Sequence, residues 1–278
     1  MPRLIRDPIG NVVANLTEQL RQDKLSDYQP LILSLDTATQ SGGICLAHGE
    51  AVLAARAGDA SKSHSCSLLS EIDLLLKSLG ARLDQVELFA ASAGPGSFTG
   101  LRIGLASVKA FSTTLRRPCF GIPTLSAVAH AAGDSAATVA VLPAGRGEVF
   151  AQLFAVSSRA FVTALDAPAH LPPMTMLEKY ARLPNLKWAG EGAGTLHDMI
   201  ENYAASRGIP CAPWSSIDGG WTLSAVEKSP AAPEENLAID IAALALHRFQ
   251  AGESEYAESL EPIYVRPSDP ELKKYVNQ

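Results

Sequence analysis

From residue 31 onward, apolar and polar positions are grouped in short blocks that each predict one element. Leu31-Ile32-Leu33-Ser34-Leu35 reads as a buried strand ending at Asp36. Turn-forming residues occupy 37–43, a second strand covers 44–47, another turn covers 48–50, and a third strand covers 51–56, which together make an antiparallel meander. The spacing of Leu68, Ile72, Leu75, Leu76 and Leu79 places them on one stripe and predicts a helix over 61–79. Ser61 or Ser63 can cap its start, and Gly80 sits where a C-terminal glycine belongs. A strand over 86–92, a glycine loop, a helix over 101–116 rich in small residues, a strand over 119–122 and a helix over 124–132 follow.

The pattern then restarts. Residues 138–142 read as a strand, 145–147 as a tight turn and 148–154 as the returning strand. Two such units in tandem predict an α/β fold of two lobes with a cleft between them, the first over 31–133 and the second over 134–278. Residues 156–186 and 204–235 are rich in Pro and Ala and weakly periodic, while Leu237, Ile241, Leu244 and Ala245 mark a last helix. Glu253, Glu255, Glu258 and Glu261 read as a solvated surface run. Residues 1–30 form an extension, in which Val12, Val13, Leu16 and Leu20 recur at helical spacing before Asp27-Tyr28-Gln29-Pro30 breaks the pattern.

Composition narrows the function classes. The chain has 278 residues, 47% hydrophobic and 19% charged, enough to bury a sizeable core. With 23 Lys plus Arg against 29 Asp plus Glu, the formal charge is −6, so no basic stripe for nucleic acid dominates. The four cysteines, Cys45, Cys66, Cys119 and Cys211, include no CxxC pair and read as free thiols, mostly buried. No signal-peptide pattern and no apolar run of membrane-spanning length is present, so a cytoplasmic protein without membrane contact is expected.

The strongest local signal is the run from Ser92 to Gly104, SAGPGSFTGLRIG, which joins a buried strand to a helix. Its glycines, Gly94 and Gly96 among them, allow close approach of another group, and amides at a helix start favour anions. The spacing is GxGxxxG, which is neither the dinucleotide fingerprint nor a Walker loop. Close packing is the alternative use: Gly100, Gly104 and Ala106 leave a smooth surface for the sheet or for a partner helix. Asp36 at a strand end, with Thr37 and Thr39, has the residue types to hold a hydrated Mg²⁺ or cradle phosphate. It could equally be a turn residue bonded to its own backbone. The matching hairpin of the second lobe carries Pro143 and lacks an Asp, which argues against an independent ATPase. His48, His64, His130, His170, His197 and His247 form no HxxxH or HxH pair, and Ser97 lacks a GxSxG setting.

Taken in order, Leu33-Ser34-Leu35-Asp36-Thr37-Ala38-Thr39, the helix start at Ser63-His64, the GPGSFTGLRIG run and Gly121-Ile122-Pro123-Thr124-Leu125 closely resemble the TsaB (YeaZ) family. The hairpin Gly145-Arg146-Gly147-Glu148-Val149-Phe150, Gly190-Glu191-Gly192-Ala193 and Pro262-Ile263-Tyr264-Val265-Arg266 also fit, so the resemblance spans roughly 31–267. It implies a duplicated actin-like (ASKHA, RNase H-like) fold. It implies a non-catalytic subunit that pairs with a TsaD-type transferase, which threonylcarbamoylates N6 of the adenosine 3′ of the tRNA anticodon. A TsaE-type P-loop ATPase joins that assembly, TsaC supplies the activated threonylcarbamoyl adenylate, and tRNA is met only through the complex. Alone, members of the family form homodimers through the same helical face.

The resemblance and the helical stripe together place the partner interface at His64, Leu68, Leu69, Ile72, Phe98, Leu101, Arg102 and Leu105. They give the chain no cofactor or metal of its own. They leave an adenine nucleotide near the interface, with Asp36, Thr37, Thr39, Gly94 and Gly96 as its contacts. The family carries an acidic residue where this chain has Pro143, whereas Glu148 matches it. The alternative is a stand-alone ATP-dependent kinase or ATPase of the same fold, and a peptidase reading finds no metal pair, triad or dyad.

Overall fold

The structure is a computed structural model that describes residues 27–58, 64–157, 161–209, 236–253 and 255–265. The expected N-terminal helix through Val12, Val13, Leu16 and Leu20, Cys211 and Arg266 lie outside the described residues, as do the side chains of His64, Ser65 and Cys66.

Ten strands and seven α-helices are found among the described residues. The first sheet contains β1 (Leu31–Asp36), β2 (Gly43–His48), β3 (Ala51–Ala57), β4 (Leu88–Gly94) and β5 (Cys119–Pro123), in the order β3-β2-β1-β4-β5. β1 runs antiparallel to β2 and parallel to β4. The second sheet contains β6 (Ser135–Gly145), β7 (Glu148–Ser157), β8 (Phe161–Ala164), β9 (Ala169–Leu171) and β10 (Lys187–Ala189). Its order is β10-β6-β7-β8, with β6 antiparallel to β7 and parallel to β10. β8 and β9 pair with different stretches of β7, so two short strands stand where the first sheet has the single β3. The order and directions of β3-β2-β1-β4 recur in β8-β7-β6-β10, with β5 unmatched among the described residues, and this is the expected two-lobed, duplicated actin-like fold.

Strict alternation of side chains explains how the helices are distributed. On the outer face of the first sheet, Leu33, Leu35, Ile44, Leu46, Phe89 and Ala91 meet α1 (His64–Ser78) and α2 (Phe98–Leu115). Their neighbours Ile32, Cys45, Leu88 and Ala90 point the other way. They join Ala140, Leu142, Phe150 and Phe154 of the second sheet in one central core. That core encloses α3 (Thr124–Ala131) and α7 (Leu237–Gln250). The outer face of the second sheet carries α4 (Pro173–Tyr180), α5 (Glu191–Thr195) and α6 (His197–Ser206) over Val139, Val141 and Ala151.

α7 comes late in the chain yet packs on the first sheet. Asn236 caps it by accepting from the Ala238 amide, while its side-chain amide donates to the carbonyls of Ile44 (3.0 Å) and Arg56 (2.8 Å). The buried Ser34 hydroxyl donates to the Ala238 carbonyl at 2.6 Å. Between α3 and α7, His130 Nδ1 lies 2.6 Å from the Asp240 carboxylate. Cys45 and Cys119 are free and buried, and burial pushes the Cys45 thiol up to about 12. Among the described residues no helix is long and apolar enough to cross a membrane.

Candidate functional site: the cleft turn and the outer helical layer

The connection from β1 to β2 is held by a dense set of hydrogen bonds. Asp36 is buried at its start, and its carboxylate is consumed locally. Oδ1 accepts from the amides of Ala38 (2.9 Å) and Thr39 (3.4 Å), and Oδ2 accepts from the Thr39 hydroxyl. The Thr37 amide donates to Ser92 Oγ at 3.3 Å, and the Gly42 amide to Thr39 Oγ1 at 3.2 Å. Of the two readings left open by the sequence, the turn residue bonded to its own backbone is the one these contacts describe.

Two amides of the turn, those of Gln40 and Ser41, find their acceptor in the other lobe. The carboxylate of Glu191, the first residue of α5, accepts from Gln40 N (3.4 Å), Ser41 N (3.3 Å) and Ser41 Oγ (3.1 Å). Every amide from Thr37 to Gly42 is thereby satisfied, four within the first lobe and two across the cleft. In this arrangement the two turn amides that face the cleft, those of Gln40 and Ser41, donate to the Glu191 carboxylate.

The glycine run is equally committed. A Cβ on Gly100 would stand 1.7 Å from the Thr37 carbonyl oxygen, and one on Gly104 2.3 Å from Thr37 Oγ1. The Thr37 hydroxyl donates to the Gly100 carbonyl at 2.7 Å, and Ser97 caps α2 by accepting from the Gly100 amide. The small-residue stripe therefore lets α2 lie on the β1–β2 turn. The expectation that Gly100 and Gly104 present a smooth surface to a partner helix is corrected: both are buried against Thr37, and only Ala106 of that set is exposed. A Cβ on Gly96 would clash with Ala38, and one on Gly94 with the carbonyl of Ile263. Ile263 belongs to a C-terminal strap whose amide donates to the Ala93 carbonyl at 2.7 Å.

The residues expected at a partner interface divide in two. Leu68, Ile72, Leu101 and Leu105 are core residues, each at most 5% exposed, and are not presented at a surface. A helical stripe marks the face that a helix buries, and here the sheet beneath takes it. Leu69 (63% exposed), Phe98 (37%) and Arg102 do face outward. The Arg102 guanidinium lies 4.0 Å over the Phe98 ring, whose other neighbour is Tyr264, with ring centroids 5.5 Å apart. Leu74 and Leu79 are further exposed apolar residues of α1 and its end. Tyr264 and Glu191 were named by the sequence only within motifs, with no role attached.

In the second lobe the equivalent hairpin is a two-residue turn. Gly145 pairs with Glu148, and Arg146 and Gly147 both have positive φ, 55° and 78°. Pro143 is exposed on β6, and Glu148 lies 2.9 Å from His170 Nε2. Among the described residues no group of three or more His, Cys, Asp or Glu could hold a metal ion.

Residues 58–206 match the family model described as TsaD: tRNA N6-adenosine threonylcarbamoyltransferase. A protein of Escherichia coli named tRNA threonylcarbamoyladenosine biosynthesis protein TsaB is 25% identical, over 84% of this chain and 94% of its own length. A Haemophilus influenzae protein of the same name is 32% identical over 43% of this chain and 51% of its own. A crystal structure from Pseudomonas aeruginosa, of an uncharacterized protein with similarity to peptidase YEAZ, superposes with a TM-score of 0.65 at 25% identity. It covers 85% of this chain and all of that one.

Proposed function

The chain belongs to the TsaD-type family of the matched model, on its TsaB (YeaZ) branch, and from that premise we propose that it serves threonylcarbamoyladenosine formation in tRNA as a non-catalytic subunit. Its partner in this reading is a TsaD-type transferase, which carries the chemistry. A TsaE-type ATPase joins the assembly, tRNA is met only through the complex, and without the transferase a second copy of this chain takes its place. What carries the reading is the Escherichia coli relative named for this biosynthesis, aligned over most of the chain.

The outer layer of the first lobe supplies the docking face. α1 and α2 cover the first sheet with their buried leucines and leave Leu69, Leu74, Phe98 and Arg102 outside. Aromatic rings and arginine are the side chains that most often dominate a protein interface. Docking there would bias the transferase toward its competent state, by as much as its affinity differs between its two states.

Leu69→Asp tests the face cleanly, because Leu69 is exposed and contributes little to the core. The expected result is a loss of affinity for the transferase of at least about tenfold, roughly one buried leucine, with an unchanged melting temperature. Transferase binding at wild-type affinity, measured by calorimetry, would remove α1 from the interface.

A further inference from the structure

The contact between Glu191 and the β1–β2 turn joins residues about 150 positions apart and ties one lobe to the other. Three features give it meaning. First, the turn is pre-organised without it: Asp36, Thr39 and Ser92 hold the other four amides, so the Gln40 and Ser41 amides are left pointing at one spot. Second, converging backbone amides at a turn form an anion-binding concavity, and the group found there is an anion. Third, its carrier is a short Gly-Glu-Gly segment that directly follows β10, so the carboxylate is delivered by the second sheet and not by a free side chain on a long loop.

We propose that Glu191 is a resident anion of the first-lobe turn, which keeps phosphate-bearing ligands out of the cleft while the lobes are closed on each other. The turn itself retains the donors for an oxyanion: two amides and the Ser41 hydroxyl. A carboxylate and a phosphate compete for the same three donors. The internal one has the advantage of being tethered, so a phosphate binds only when Glu191 withdraws. Withdrawal also cuts this hydrogen-bonded link between the lobes, which couples occupancy of the turn to cleft opening.

The experiment compares wild type with Glu191→Ala and Glu191→Gln, using inorganic pyrophosphate as the probe. Calorimetry gives the affinity, and amide shifts of Gln40 and Ser41 give the location. Glu191→Ala is expected to bind pyrophosphate at least about tenfold more tightly than wild type, the worth of one hydrogen bond to a charged group. The Gln40 and Ser41 signals should move on titration. Glu191→Gln keeps an acceptor but no charge and should fall between. Thermal melts establish that each variant is folded. Equal affinity in wild type and Glu191→Ala overturns the proposal, as does tighter binding that leaves the Gln40 and Ser41 amides unmoved. This outcome is independent of transferase docking, since Leu69 and the cleft are read by different measurements.

Discussion

The two lobes share a strand order but close their first hairpins in opposite ways. In the first lobe, β1 and β2 separate after Asp36↔Gly43 and leave a turn over residues 37–42. That turn is held by side chains, by α2 and by the other lobe. In the second lobe, β6 and β7 stay paired to Gly145↔Glu148 and turn in two residues. Repeating a sheet does not repeat its functional edge. A long turn exposes amides that need acceptors and can accommodate a ligand, whereas a two-residue hairpin spends its backbone on the ladder.

Substitutions at one glycine in each turn region should show the largest contrast. Gly100→Ala drives a Cβ into the Thr37 carbonyl, and backbone cannot give way as a side chain can. A loss of ~3 kcal/mol is expected on denaturant unfolding. Gly147→Ala has open space around it and only the positive φ to contend with, so about 1 kcal/mol is expected. Equal losses would mean that α2 does not rest on the turn. Next in size is Asp36→Ala, which leaves two amides and the Thr39 hydroxyl without their buried acceptor. It should cost ~2 kcal/mol, while Pro143→Ala on the exposed end of β6 should be close to neutral.

The last effect is electrostatic and belongs to the second lobe. Burial pushes the Asp166 carboxyl upward, but hydrogen bonds from Lys179, Tyr180 and the Leu153 amide outweigh it and hold the group below its ordinary value. Burial, with Asp166 beside it, pushes the Tyr180 phenol up to about 12. A carboxyl depressed on folding stabilises above its unfolded pKa, and that contribution is lost as pH falls through the folded value. Wild type should therefore lose stability below about pH 4, and Asp166→Asn should flatten that part of the profile in thermal melts. An unchanged profile would show that the Asp166 cluster contributes nothing measurable.

Periodicity made the outer layer legible. The helices expected at 61–79 and 101–116 are found at His64–Ser78 and Phe98–Leu115, and strands β1 to β7 begin near their expected places. The same periodicity misled the reading of the surface. Leu68, Ile72, Leu101 and Leu105 repeat because they are buried, so the stripe marked the core, and the exposed apolar residues lie beside it, at Leu69 and Phe98. β8, β9 and α4 lie in the weakly periodic stretch at 156–186, where short elements give too few turns to show a period. Glu191 was unreadable for another reason. A glycine-flanked acid after a strand is a local feature, but its partners Gln40 and Ser41 are brought to it only by the closing of two lobes.

The position of α7 bears on the order in which the molecule can be made. The inner face of the first sheet, with Ile32, Ser34, Cys45 and Ala90, is covered by a helix that begins at Leu237. Its edge is then strapped by a segment whose Glu255 carbonyl accepts from the Cys119 amide at 2.9 Å. During synthesis from the N-terminus, the first sheet emerges long before its cover and must wait, with apolar surface open, while the whole second sheet is translated. The lobe that comes out of the ribosome first is the last one to be finished.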